Sequence, residues 1–292
     1  MVKLAAVRRW VAVAALACLT GSVSATTGLT VLAARPDTGL VTVFYPASAA
    51  ATKVQRGPFT LAVALNAPPQ RGNGHLIVMS HGSGGSAFTQ TDLAQVLVTA
   101  GFTVAMPEHV GDNWHDQSAV GPASWKRRPL EVSQAIDAMA ADTRFAPLLD
   151  FQHVGIYGMS AGGLTVLTLA GGRWSPALLA KHCNAHLAED FPTCVGLFSE
   201  LTGGLLDEAR LAIARPLINA RFSGDTALQG RTDPRIVMAV AAVPMAVPMD
   251  MASLAAPPHS HRSGARRPRR LACAALAYRR GARRVQGVRA DR

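Results

Sequence analysis

Gly158-Met159-Ser160-Ala161-Gly162 is the stretch of this 292-residue chain whose residue types and spacing carry the most chemistry. It follows a β-like run, His153-Val154-Gly155-Ile156-Tyr157, and precedes an apolar run from Leu164 to Ala170 that reads as a helix. A serine at a sharp strand-to-helix turn has its hydroxyl lifted above the sheet edge, where it can attack an acyl carbon. The glycines follow from the same geometry. Side chains two positions to either side would collide with the strand and helix that the turn joins. Ser160 is the candidate nucleophile, and the backbone N–H of Ala161 is a candidate donor to a developing oxyanion.

A second stretch agrees with the first. His75-Leu76-Ile77-Val78-Met79-Ser80 reads as a short buried strand, and His81-Gly82-Ser83-Gly84-Gly85 follows it. A glycine-rich turn after such a strand is where a second oxyanion donor arises, and the backbone N–H of Ser83 takes that role. His81 precedes Ser160, against the usual order of serine, acid, histidine, so it reads as a residue that holds the loop.

The elements that must position these residues come in alternation. Thr30 to Ala34 and Leu40 to Tyr45 read as strands joined by a turn at Asp37-Thr38-Gly39. An extended piece runs from Gly57 to Ala64. After the strand at Leu76–Ser80 come a helix over Thr91–Ala100, a strand at Phe102–Met106, and a helix over Leu130–Ala141 with apolar Val132, Ile136 and Met139 at near-helical spacing. The pattern predicts an α/β fold, a mostly parallel sheet with helices on both faces. Residues 171–233 interrupt it with Trp174, two cysteines and a helical stretch Leu206–Ala214, and read as a cap insertion. Ile236 to Val247 suits a buried strand ending near Pro244. No β-branched run follows Pro258, so the last strands of the sheet are expected to be missing.

LIVMSHGSGGS, GFTVAMPEHVGDN, RPLEVSQAID and GIYGMSAGG together resemble the bacterial predicted dienelactone hydrolases, relatives of the platelet-activating-factor acetylhydrolase group of α/β-hydrolases. The resemblance spans about Gly28 to Pro258. It implies an α/β-hydrolase fold and a serine esterase or acylhydrolase with a Ser-Asp-His triad and no cofactor. It maps the triad acid onto Asp250, just past the strand after the cap. The alternative for Asp250 is an N-cap for a helix over Met251–Ala255. The base has no clear candidate. His182 and His186 follow Ser160 but belong to the cap, and His259 and His261 come too soon after Asp250 for the missing strand and helix.

The N-terminus reads as a signal peptide, 1–25. Lys3, Arg8 and Arg9 form a basic region, Trp10 to Leu19 an apolar one, and Val23-Ser24-Ala25 a cleavage site. The apolar run is shorter than the ~20 residues of a membrane span, so no span is expected in the mature chain. Export to the periplasm or beyond favours a disulfide between Cys183 and Cys194. His182 and His186 beside Cys183 match no closed tetrahedral pattern, and no metal is expected. His109, Asp112, His115 and Asp116 read as lining of the crevice at the sheet's carboxyl edge.

Charge is lopsided. The chain carries +11, and residues 259–292 hold eleven Arg against Asp291, so the tail carries +10 and the rest +1. A polyanion-binding arm, a disordered tail and a shifted reading frame compete, and the Arg-Ala-Gly-Pro composition favours the last. Only Tyr278 interleaves with the arginines, so no nucleic-acid partner is expected. The sequence thus points to an exported serine hydrolase of a small carboxylic ester. The alternatives are an impaired remnant of such an enzyme and a basic-tail binder.

Overall fold

The computed structural model describes residues 26–33, 38–196, 199–255 and 270–274. The leader, with Cys18 and the cleavage position Ala25, lies outside the described residues, as do His259, His261 and all of the arginine-rich tail except 270–274.

Two hairpins open the fold. β1 (Thr26–Leu32) and β2 (Val41–Ala47) pair antiparallel, from Thr26 opposite Ala47 to Leu32 opposite Val41. β3 (Thr52–Arg56) and β4 (Phe59–Leu65) pair across a turn at Gly57, whose φ of 54° suits glycine. The extended piece expected from Gly57 to Ala64 is β4, and Gly57-Pro58 forms the turn from an additional strand, β3, before it.

The alternating part follows. β5 (His75–Ser80) leads to α1 (Thr91–Thr99), β6 (Thr103–Pro107) and α2 (Pro122–Ala141). β7 (Asp150–Met159) leads to α3 (Ala161–Leu169). The insertion holds β8 (Arg173–Trp174), α4 (Pro176–His186), α5 (Phe191–Val195) and α6 (Asp207–Phe222). β9 (Ile236–Ala242), β10 (Met249–Asp250), α7 (Met251–Ala255) and β11 (Arg270–Ala274) complete the described chain.

Nine strands form one sheet in the order β11-β9-β7-β5-β6-β2-β1-β4-β3. The five strands from β11 to β6 are parallel, and β2 joins β6 antiparallel. This order, with a strand–turn–helix at the end of β7, is the α/β-hydrolase arrangement that the sequence predicts. Alternate residues of each strand serve opposite faces. Leu76, Val78, Val43, Tyr45 and Ala105 pack under α2 and α3 with Val132, Ile136, Met139 and Leu164. Met79, Phe44, Val104 and Met106 pack under α1 with Ala94 and Val98. β6 lies on one side of β5 and β7 on the other, and a crevice opens outside the carboxyl ends of strands at such a reversal.

Two expectations need correction. The sheet does not stop at β9: β11 pairs parallel with it, from Arg270 opposite Met238 to Ala274 opposite Ala242. A short strand at the sheet edge can form on main-chain pairing, without the β-branched run that the sequence reading required. α2 starts two turns before Leu130. Pro129 inside it removes a helical N–H and hid those turns. Among the described residues no helix is long and apolar enough to cross a membrane.

Candidate active site

Ser160 sits between β7 and α3 at φ 57° and ψ −117°. A non-glycine residue in that region costs on the order of 1–3 kcal/mol and needs outside support. The support comes from the end of β9 and the residues just after it. Ser160 N–H donates to Ala242 O at 3.2 Å, and Met245 N–H donates to Ser160 O at 3.1 Å. Gly158 has the predicted reason, a clash with the helix that the turn joins, whereas Gly162 is required by the neighbouring strand β5. A Cβ on Gly158 would run into the Gly162 carbonyl, and one on Gly162 into the Ser80 carbonyl. Ser160 is half-buried, and its hydroxyl has no hydrogen-bond partner among the described residues.

The 81–85 loop passes beside this serine. A Cβ built on Gly82 would lie 3.5 Å from Ser160 Cβ and 4.0 Å from its Oγ. The backbone N–H groups of Ser83 and Ala161 have no protein acceptor among the described residues. The fold therefore brings Ser160, Ala161 and the Ser83 loop into one place.

Beneath the loop lies a polar network that the sequence reading missed. Arg128, on α2, is fully buried. It donates to Asp112 Oδ2 at 2.9 Å, to His81 O at 2.6 Å and to Gly82 O at 3.3 Å. Asp112 accepts from Ser83 Oγ at 2.6 Å, Gly84 N–H at 2.9 Å and Ser124 Oγ at 2.6 Å. Burial pushes the Asp112 carboxyl up, but Arg128, the two hydroxyls and the Gly84 N–H outweigh it and hold the group below its ordinary range. One signal for Arg128 existed: a charged residue on the helical face it shares with Trp125 and Val132.

A second buried chain of bonds adjoins the first. Ser80 Oγ meets His109 Nε2 at 2.7 Å, and His109 Nδ1 meets Glu131 Oε2 at 2.6 Å. Val110 N–H donates to the other Glu131 oxygen at 3.1 Å. His109 N–H donates to His81 Nε2 at 3.3 Å, and His81 Nδ1 bonds the Gly82 carbonyl at 2.7 Å. Both rings have their nitrogens engaged, and His81 holds the loop as the sequence reading expected. Burial, then the neighbouring His109 and Arg128, bring the His81 pKa down to about 3, and burial lowers His109 well below its usual value. Burial raises Glu131. The predicted crevice cluster is thus divided. His109 and Asp112 turn inward, whereas His115 is exposed and pairs with Glu108 at 2.9 Å.

Asp250 has other partners than a histidine. It ends β10, accepts from Ala252 N–H at 3.2 Å as an N-cap of α7, and lies 3.5 Å from Arg173. In the insertion, His182 pairs with Asp190 at 2.9 Å and His186 with Glu189 at 2.8 Å. Cys183 and Cys194 form the expected disulfide and tie α4 to α5. Among the described residues no group of three or more His, Cys, Asp and Glu converges to hold a metal ion.

No family model matches the chain, and no curated protein matches it. Among solved structures, the chain is similar to a ferulic acid esterase from Streptomyces cinnamoneus, at 19% identity and a TM-score of 0.41. The likeness covers 50% of this chain and 55% of that one, so the chain spans about half the length of the esterase.

Proposed function

We propose that this chain is a serine hydrolase of carboxylic esters, with Ser160 as nucleophile. The observation that carries the reading is the strained turn: Ser160 at φ 57° between β7 and α3, with the Gly82 backbone against it. A fold retains such strain where the chemistry needs the exposed hydroxyl. In the reaction, Ser160 Oγ attacks the acyl carbon and the carbonyl oxygen gains the charge. The N–H groups of Ala161 and Ser83 take that charge. The alcohol leaves with a proton, and water then releases the acid from the serine. The resemblance to the dienelactone hydrolase group supports an ester, and its relation to the acetylhydrolases supports an acetyl or short acyl group. The Cys183–Cys194 disulfide supports an exported protein. The insertion reaches the 109–121 loop through Arg221, which donates to Val120 O at 3.3 Å, and this supports its reading as a cap.

A specific observation favours the second reading, an impaired enzyme. Among the described residues no histidine bonds the Ser160 hydroxyl, and Asp250 is engaged by Arg173 and the α7 N-terminus. Loss of a triad base costs on the order of 10⁴–10⁶ in turnover. The expected outcome is slow, Ser160-dependent labelling by a fluorophosphonate, with p-nitrophenyl acetate hydrolysis barely above a Ser160→Ala control. Labelling that persists in Ser160→Ala would overturn the nucleophile. Ordinary enzyme turnover that Ser160→Ala abolishes would overturn the impaired reading.

A further inference from the structure

We infer that the buried Asp112–Arg128 pair is the positioning element that orients the Ser83 N–H toward the substrate; this rests on the serine hydrolase reading above. The argument begins with the peptide group. In a trans peptide the C=O of one residue and the N–H of the next point in opposite directions. The Ser83 N–H therefore points wherever the Gly82 carbonyl does not. That carbonyl is held by three donors: Arg128 Nη2 at 3.3 Å, His81 Nδ1 at 2.7 Å and Gly85 N–H at 3.1 Å. The next peptide plane is fixed from its other end, because Gly84 N–H donates to Asp112 Oδ1 at 2.9 Å. Asp112 also takes the Ser83 hydroxyl, and Arg128 takes the His81 carbonyl at 2.6 Å.

Four successive residues are thus tied to one ion pair, and the Ser83 N–H is left without a protein acceptor among the described residues. Glycines on both sides of Ser83 make the peptide planes easy to flip, since they lack the Cβ that penalises either orientation. Two of the donors to the Gly82 carbonyl, His81 and Gly85, belong to the loop itself and close it into a turn. The pair fixes that turn from outside, through the His81 carbonyl and the Gly84 N–H on either side of it, and being fully buried it does so with both members locked in one geometry.

The test uses the full chain carrying Arg128→Lys, which keeps the charge beside Asp112 and loses the fork to the two carbonyls. The rate of Ser160-dependent fluorophosphonate labelling is measured over long incubation beside hydrogen exchange of residues 81–85. Removing one oxyanion donor costs on the order of 10²–10³ in rate, so a misaimed one is expected to lower the labelling rate about 30–100-fold relative to wild type. Exchange in 81–85 is expected to rise while β5 and α2 stay protected. An unchanged labelling rate with unchanged exchange overturns the inference, as does exchange that rises equally throughout the chain. If wild type shows no Ser160-dependent chemistry, the hydrolase reading fails while the exchange arm still decides the restraint. Should Arg128→Lys not fold, Ser124→Ala removes one hydroxyl from Asp112 and carries the same readouts, with a smaller effect in the same direction.

Discussion

Ser160 has a backbone conformation that a glycine would adopt with less strain. Ser160→Gly is therefore expected to raise stability by about 1 kcal/mol while abolishing labelling, read as a higher urea midpoint with no fluorophosphonate adduct. The buried rings set a pH limit. His81 titrates at about 3 in the folded chain against 6.5 unexposed to the fold, so the unfolded chain takes up the proton first. Stability is then full above pH 6.5 and falls as the pH drops toward 3, by up to about 1.4 kcal/mol per pH unit for this ring. His109 adds a slope of the same sign. Glu131, raised by burial, opposes both as the pH climbs past 4.5. Chemical denaturation at pH 7, 6, 5 and 4 checks the net slope, which is expected to be positive because two rings act against one carboxyl, and a flat profile would contradict it. The Gly162 requirement comes from Ser80 on β5, but at this scale the turn that places Ser160, the Gly158 requirement and the loop position of His81 were legible, because each follows from local spacing. Arg128 and Glu131 were not. Their value comes from partners 16 to 47 residues away along the chain, and no local pattern announces such a meeting.

Among the elements, α2 does the most to build the site and was the hardest to delimit. Its buried face mixes Trp125, Val132 and Ile136 with Arg128 and Glu131, so its apolar periodicity is broken where it meets the 81–85 loop. The insertion shows the opposite case. The cysteines announce the disulfide, but α4 and α5 around them are hard to read because α5 has only five residues and α4 carries no strong apolar stripe, although each has a proline in its first turn that suits a helix start. Cys183 and Cys194 close a short loop between two buried positions. Replacing both with Ala is expected to cost about 2–3 kcal/mol, measured by thermal melts of periplasmically produced protein whose wild-type disulfide is verified by mass spectrometry. Two free thiols in that wild type would remove the basis of the prediction.

For the whole molecule, alternation of strands and helices was enough to give a mostly parallel α/β sheet, since binary pattern follows the period of each element, while the hydrolase arrangement came from the Gly158–Gly162 motif and the family resemblance. The edge of the sheet was beyond reach, because β11 is a strand by its pairing with β9 and not by its residue types. A chain ending at residue 258 loses that pairing and most of the positive charge together. Its exposed β9 edge is expected to make it self-associate, seen by light scattering after size exclusion. Its salt-dependent retention on a polyanion column should vanish only if the tail is a binding arm.

The brace behind Ser160 also bears on the order of events during synthesis. Gly158 to Leu169 contain the whole motif, yet the carbonyl and amide that hold the serine belong to Ala242 and Met245, more than 80 residues later. A nascent chain that has emerged as far as α3 has the flanking segments but not these two bonds. The turn that holds the proposed nucleophile is thus completed by long-range closure late in folding, when most of the domain has already left the ribosome. Until then, partly made chains carry the hydroxyl without its poise.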